Sequence, residues 1–354
     1  MGGIGGGVKF FDQRPRKDPK ALFGREMEIS RVVRAFEANS WVAILGPRMA
    51  GKTSLAIASS HMFSKNSGYN VVFVDLRNST TSRQATERIL SRLPESIINR
   101  VAKYLSGVSL GAGGLSGSIR LRQHASASRA LEDALFELDK TILILDEIQN
   151  IVQGVVPFMR ALATAFNEND TLLVVFTGSY AGVLRKLFET SPRDEPYGRP
   201  PIQITVSPWP EFTALDFLRK GLTECGVEYT DNELGMVLWK LGTLPGWLNL
   251  YGLRRCLGDS HEEALSSVFS MGIKDARREL ENFIAGRTPK ARTALKMLSY
   301  GATWGELLRK TAMSKETLSR LLDALMNELF IVSKDEVGVY RISDPLYRYA
   351  AERL

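Results

Sequence analysis

Five short apolar runs punctuate the first 206 positions of the chain, at 41–45, 70–76, 141–145, 172–177 and 202–206. Each is too brief for a helix, and the near-continuous Val/Ile/Leu runs among them fit strands buried on both faces. Between them the spacing becomes helical, with Leu55, Ala58, His61 and Met62 on one face of 52–64 and further helical stretches over 82–105 and 156–167. Strands alternating with helices at this interval predict a parallel α/β sheet covered on both faces. Past Pro210 the strand pattern stops, and helices are expected over 211–225, 230–241, 246–257 and 261–285.

The last segment has a different rhythm. Helices are expected over 290–299, 304–310 and 315–329, the third capped by Ser314 and apolar at Leu318, Leu321, Leu322 and Leu325. Short strands at 330–333 and 339–342 flank Lys334-Asp335-Glu336. Three helices and a strand–turn–strand predict a winged helix-turn-helix. The expected organisation is therefore a flexible or loosely docked basic arm (1–21), a nucleotide-binding part (22–208), an all-α lid (209–286) and the winged helix (287–354). Residues 107–122 interrupt the plan with alternating Val108/Leu110 and Ile119/Leu121 around glycines. They read as a hairpin excursion or a disordered loop.

Composition narrows the class. The chain has 354 residues, 44% hydrophobic and 24% charged, which excludes wholesale disorder. Two cysteines, Cys225 and Cys256, are too few for a disulfide framework, and three scattered histidines give no zinc pattern. No apolar run has the length of a membrane span, and the glycine-rich start has no signal-peptide core. A soluble cytoplasmic protein with no membrane partner is expected. The net charge of +7 permits an anionic partner without amounting to a polybasic signature.

The strongest chemical signal is Gly46-Pro47-Arg48-Met49-Ala50-Gly51-Lys52-Thr53, a complete G-x4-GK[ST] P-loop set between a buried strand and a helix, with Ser54 next. Its glycines let successive N–H groups turn toward phosphates at a helix N-terminus. Lys52 would reach the β- and γ-phosphates, and the Thr53 hydroxyl would ligate Mg²⁺. A second signal closes the third strand at Asp146-Glu147. A carboxylate at a buried strand end is costly unless it serves a cation, so Asp146 is expected in the Mg²⁺ shell. Glu147 would polarise the attacking water.

Together, Leu22-Phe-Gly-Arg-Glu26, the P-loop, Asp146-Glu-Ile-Gln149, Thr177-Gly-Ser179, Tyr197-Gly-Arg199 and Asp344-Pro345 resemble the archaeal ATPase family. That family belongs to the STAND branch of AAA+-like P-loop NTPases and is related to origin-recognition ATPases. The resemblance implies that Arg25 closes over the nucleotide base, although a salt bridge to the adjoining helix accounts for it nearly as well. It implies that Thr177 or Ser179 is sensor 1, near the γ-phosphate or catalytic water. Arg48 would touch the γ-phosphate or a neighbouring acid. Arg199 would reach phosphate from a Pro/Gly-flanked stretch or make a loop salt bridge. Pro245 would pack near the adenine, and Trp247 would begin the next helix. The chain departs from the family where Gly242-Thr243 replaces a glycine pair, and no sensor 2 arginine stands nearby.

ATP or ADP with Mg²⁺ is thus the expected ligand, held between sheet and lid. A slow ATPase switch coupled to lid and winged-helix movement is the leading expectation, since a pure binding module has no use for Glu147. The alternatives are an ADP-locked module and a DNA-binding regulator. Residues 287–354 carry twelve basic and eight acidic residues, while the third helix sets Lys315 and Arg320 against Glu316, Asp323 and Glu328. A protein partner is therefore as well supported as weak duplex DNA binding, for which the basic arm (Arg14, Arg16, Lys17, Lys20) offers the better phosphate contacts. A nucleotide-dependent oligomer is left open.

Overall fold

The computed structural model describes residues 10–109, 118–178 and 200–354. They fall into two compact units. One comprises Arg16–Gly46 and Lys52–Val206, the other Pro47–Gly51 and Ser207–Leu354 with the chain up to Pro15.

The first unit runs α1 (Glu26–Glu37), β1 (Val42–Leu45), α2 (Lys52–Ser67), β2 (Asn70–Asp75), α3 (Ser82–Leu90), α4 (Glu95–Arg100), β3 (Leu105–Ser109), β4 (Ser118–Leu121), α5 (Ala127–Phe136), β5 (Thr141–Asp146), α6 (Val155–Glu168), β6 (Leu172–Gly178) and β7 (Ile202–Thr205). Five of these strands form one sheet in the order β2-β5-β6-β1-β7, every pair parallel. All five expected strands are present. Every residue of β1, β5 and β6 is buried, which is why they read as unbroken apolar runs.

The expected helix over 82–105 is shorter than its pattern. Pro94, without an amide proton, separates α3 from α4, and the chain then enters β3. Of the expected excursion, 110–117 lie outside the described residues, while β3 pairs antiparallel with β4. An isolated hairpin is marginal in water. Here Glu87 of α3 accepts from the Leu121 amide at 2.9 Å, and the Arg83 guanidinium donates to the carbonyls of Leu121, Arg122, Gln123 and Ala125 at 3.1–3.2 Å.

The second unit contains α7 (Glu211–Glu224), α8 (Asp231–Leu241), α9 (Pro245–Cys256), α10 (His261–Ala285), α11 (Lys290–Tyr300), β8 (Ala302–Thr303), α12 (Trp304–Thr311), α13 (Lys315–Asp323), β9 (Val332–Lys334), β10 (Val339–Ile342) and α14 (Pro345–Glu352). Antiparallel β10 lies between β8 and β9. The third helix of the terminal segment stops short of 329, giving way to a π-helical turn at Ala324–Glu328.

Cys225 and Cys256 are joined in one disulfide across a separation of 31 residues, tying the end of α7 to the end of α9. Closing a loop of that length restrains the unfolded chain by about 3–4 kcal/mol. Two cysteines make no framework, yet they make this bond.

Phe11 is completely buried against the same helices. A Cβ at Gly221 of α7 or Gly252 of α9 would stand 2.2 Å from its ring, so the two glycines open the space it fills. Part of the expected loose arm is thus docked. Phe11→Ala leaves a cavity and is expected to cost about 3–5 kcal/mol, read as a lowered midpoint in urea unfolding.

Helix α14, which no apolar periodicity had marked, is capped by Asp344, whose Oδ1 accepts from the amides of Leu346 (2.8 Å) and Tyr347 (3.1 Å). Tyr347 donates its hydroxyl to Glu279 of α10, and Leu346 occupies the space left by Gly272. Through α14 the terminal helices pack onto α10 and α11.

Candidate nucleotide site

Fully buried β1 leads into Gly46, where φ is +150° and a Cβ would lie 2.4 Å from the Val206 carbonyl oxygen. Only glycine fits there without displacing β7's exit. Lys52 is the first residue of α2 and 7% exposed, and its ammonium donates to the Gly46 carbonyl at 3.0 Å. Ser54 accepts at Oγ from the Arg16 amide at 3.2 Å.

The next residue of the motif meets the second one. Thr53 Oγ1 donates to Asp146 Oδ1 at 2.9 Å, joining residues 93 positions apart. Thr177 Oγ1 donates to the same oxygen. Strand β6 lies between β1 and β5, so Thr177 reaches Asp146 from the neighbouring strand. Asp146 is 2% exposed, and burial pushes its carboxyl pKa up. The two hydroxyls oppose that rise, while Glu147 and Asp75 add to it.

Asp75 escaped the sequence reading. It ends β2 directly opposite Asp146 in the parallel register and accepts from the Arg77 amide at 2.9 Å. Its signal was available, since the second apolar run also terminates in an acid.

Glu147 sits at φ +58°, in the left-handed region that a non-glycine residue adopts at a cost. Gln149 Nε2 donates to its carboxylate, and Asn150 Nδ2 donates to its carbonyl at 3.0 Å. The Gln149 Oε1 is buried and has no hydrogen-bond partner among the described residues. The loop is stitched down beyond this point, with Val152 and Gln153 amides donating to Thr80 O at 2.9 and 3.1 Å.

The crown of the P-loop belongs to the second unit. Met49, at φ +65°, accepts at its carbonyl from the Gly246 amide at 2.9 Å. Gly246 is needed for that approach, because a Cβ would stand 2.7 Å from the Met49 methyl. Pro245 is the first residue of α9 and so lies next to the crown. Arg48 pairs with Asp275 of α10 at 3.7 Å, an acid far away in sequence. Arg25, 5% exposed, pairs with Glu28 at 2.9 Å inside the first unit. Trp247 is buried in α9. Ser179 and Arg199, with Tyr197, lie outside the described residues.

A cation would meet one buried carboxylate and one hydroxyl here, both hard oxygen donors. No group of three or more His, Cys, Asp or Glu that could hold a metal exists among the described residues. That set suits Mg²⁺, which takes few protein ligands and keeps waters and phosphate oxygens.

A parallel sheet, a glycine turn leading into a lysine-headed helix, and an acid closing the next strand but one define a P-loop nucleotide-binding protein. The chain belongs to the ATPase domain family found predominantly in Archaea, whose model matches residues 22–250. A Walker-type ATPase of Pyrococcus abyssi shares its fold, with a TM-score of 0.76 at 23% identity over 98% of this chain and 100% of that one. The Orc1 protein of Aeropyrum pernix, solved in complex with DNA, gives 0.49 at 18% identity over 98% and 94%. A RuvB variant of Thermotoga maritima gives 0.46 at 14% over 97% and 100%. No curated protein matches. No helix among the described residues is long and apolar enough to cross a membrane.

Proposed function

We propose that this chain is a Mg²⁺-dependent ATPase in which nucleotide state controls the helices of its second unit. The observation that carries the reading is the hydrogen bond from Thr53 to Asp146, since it brings the P-loop hydroxyl and the strand-end carboxylate to one point. Thr53 and Asp146 would hold Mg²⁺, which when bound neutralises charge on the phosphate oxygens.

The chain's own groups supply the remainder. Lys52 moves its ammonium from the Gly46 carbonyl to the β- and γ-phosphates, while the backbone of Gly46, Pro47, Ala50, Gly51 and the start of α2 cradles them. Glu147 takes a proton from the attacking water as its oxygen bonds to the γ-phosphorus and ADP leaves. Gln149 keeps the Glu147 carboxylate in one orientation. Thr177 holds Asp146 from the side, a task consistent with sensor 1. Arg48, Met49 and Pro245 act as the coupling point, because the crown bonds to α9 and α10 in the same unit. Arg25 steadies the start of α1 through Glu28 and borders the base.

The division into a nucleotide-binding part (22–208), a lid (209–286) and a winged helix (287–354) belongs to the same proposal. The three helices α11 to α13 with the sheet β8-β10-β9 support the last of these. Steady-state phosphate release from ATP tests the whole reading. Turnover is expected with Mg²⁺ and not with excess EDTA; hydrolysis indifferent to EDTA refutes it.

A further inference from the structure

Positive charge is unevenly spread over residues 287–354. Residues 287–311 carry six basic residues and one acid, Glu306, whereas 312–354 carry six basic and seven acidic residues. The cationic part is therefore α11 and α12, not α13. On α13 the Arg320 guanidinium is neutralised by Glu316 one turn earlier. A reading helix in that condition offers phosphates little.

The α11–α12 face offers more. A cavity of about 350 Å³ is lined by Met297, Tyr300, Gly301, Ala302, Glu306, Arg309 and Lys310. Tyr300 is 71% exposed beside that cavity. Lys296 is exposed one turn before it on the same helical face. Gly301, at φ +92°, brings its backbone under Arg341 of β10, whose Nε lies 2.9 Å from where a Cβ would be. The one acid, Glu306, accepts from the Thr303 amide and hydroxyl, both at 2.8 Å, and feels the charge of Arg309 one turn on. Lys296, Arg309, Lys310 and Arg341 have no ion pair among the described residues.

We propose that this face binds single-stranded nucleic acid, with a base stacked on Tyr300 and phosphates on Lys296, Arg309, Lys310 and Arg341. Cations flanking an exposed ring beside a cavity reproduce the two elements of such sites, a backbone track and a stacking platform. A duplex keeps its bases inside the stack and leaves Tyr300 nothing to meet. Four cations beside one acid favour the repeating charge of a nucleic-acid backbone over a neutral or basic protein surface.

The test is fluorescence anisotropy of the full chain without nucleotide, so that its outcome is independent of the ATPase reading. The probes are labelled oligo-dT of about 12 nucleotides and a duplex of equal length. Oligo-dT is expected to bind more tightly than duplex, losing about 50-fold in affinity between 50 and 200 mM salt if four phosphates are neutralised. Tyr300→Ala should weaken it about 5- to 100-fold, whereas Tyr300→Phe should keep it. Combined Lys296→Ala, Arg309→Ala and Lys310→Ala should lower the log–log salt slope by about 2. All these positions are exposed, so the variants are expected to keep the fold, and circular dichroism is the check. Absence of oligo-dT binding at 50 mM salt, binding indifferent to these substitutions, or a preference for duplex that depends on Lys315 and Arg320 would each overturn the proposal.

Discussion

Lys52→Ala is expected to remove ATP binding. The ammonium of Lys52 is buried, and in the structure its donor capacity is directed to the Gly46 carbonyl, inside the turn of the P-loop. Backbone amides orient phosphate oxygens but carry no net charge. Removing one member of a buried charge pair costs about 3–5 kcal/mol, which is roughly 10²–10⁴-fold in affinity. Equilibrium binding of a fluorescent ATP analogue measures the loss, and a thermal melt of the variant shows that the fold survives. Wild-type affinity in a folded variant would remove Lys52 from the site, and with it the P-loop reading.

What was legible along the chain follows from burial. The strands 141–145 and 172–177 could be read because both faces are covered, which forces apolar residues at every position. The P-loop could be read because its requirement is local: Gly46 must stand against Val206, and Lys52 must head a helix. Asp146 and Glu147 could be read because an acid at the end of a buried strand needs a reason to be there. Helix α5, by contrast, was passed over although Ser126 caps it, because its buried face rests on small Ala130 and Ala134 beside Leu131 and Leu135.

Other features depended on contacts between distant parts of the chain. Nothing near Arg48 announces Asp275, and nothing near Phe11 announces Gly221 and Gly252. The bond between Cys225 and Cys256 needs α7 and α9 side by side before the two thiols can meet. Asp75 carries the local signal of an acid closing a strand, but only the β2–β5 register sets it opposite Asp146. Gln149 stands in the Asp146–Gln149 motif, but its task shows only in the geometry, which places its amide on Glu147.

That amide bears on the second large effect. Glu147→Gln should leave Mg·ATP bound while turnover falls by about 10²–10⁴-fold, the range a positioned general base supplies. The substitution keeps shape and removes only the ability to take a proton. The backbone at Glu147 is left-handed and is held by Asn150, so the side chain of the variant starts from the same place. Gln149→Ala should give a smaller loss, in kcat and not in KM, because it frees the carboxylate from its orientation without touching phosphate. The pair of measurements separates the roles. Full turnover in Glu147→Gln would place the base elsewhere and reduce Glu147 to an acid at a helical turn. A Gln149→Ala variant that raised KM instead would show Gln149 contacting substrate, and Glu147 would then need another means of facing the water.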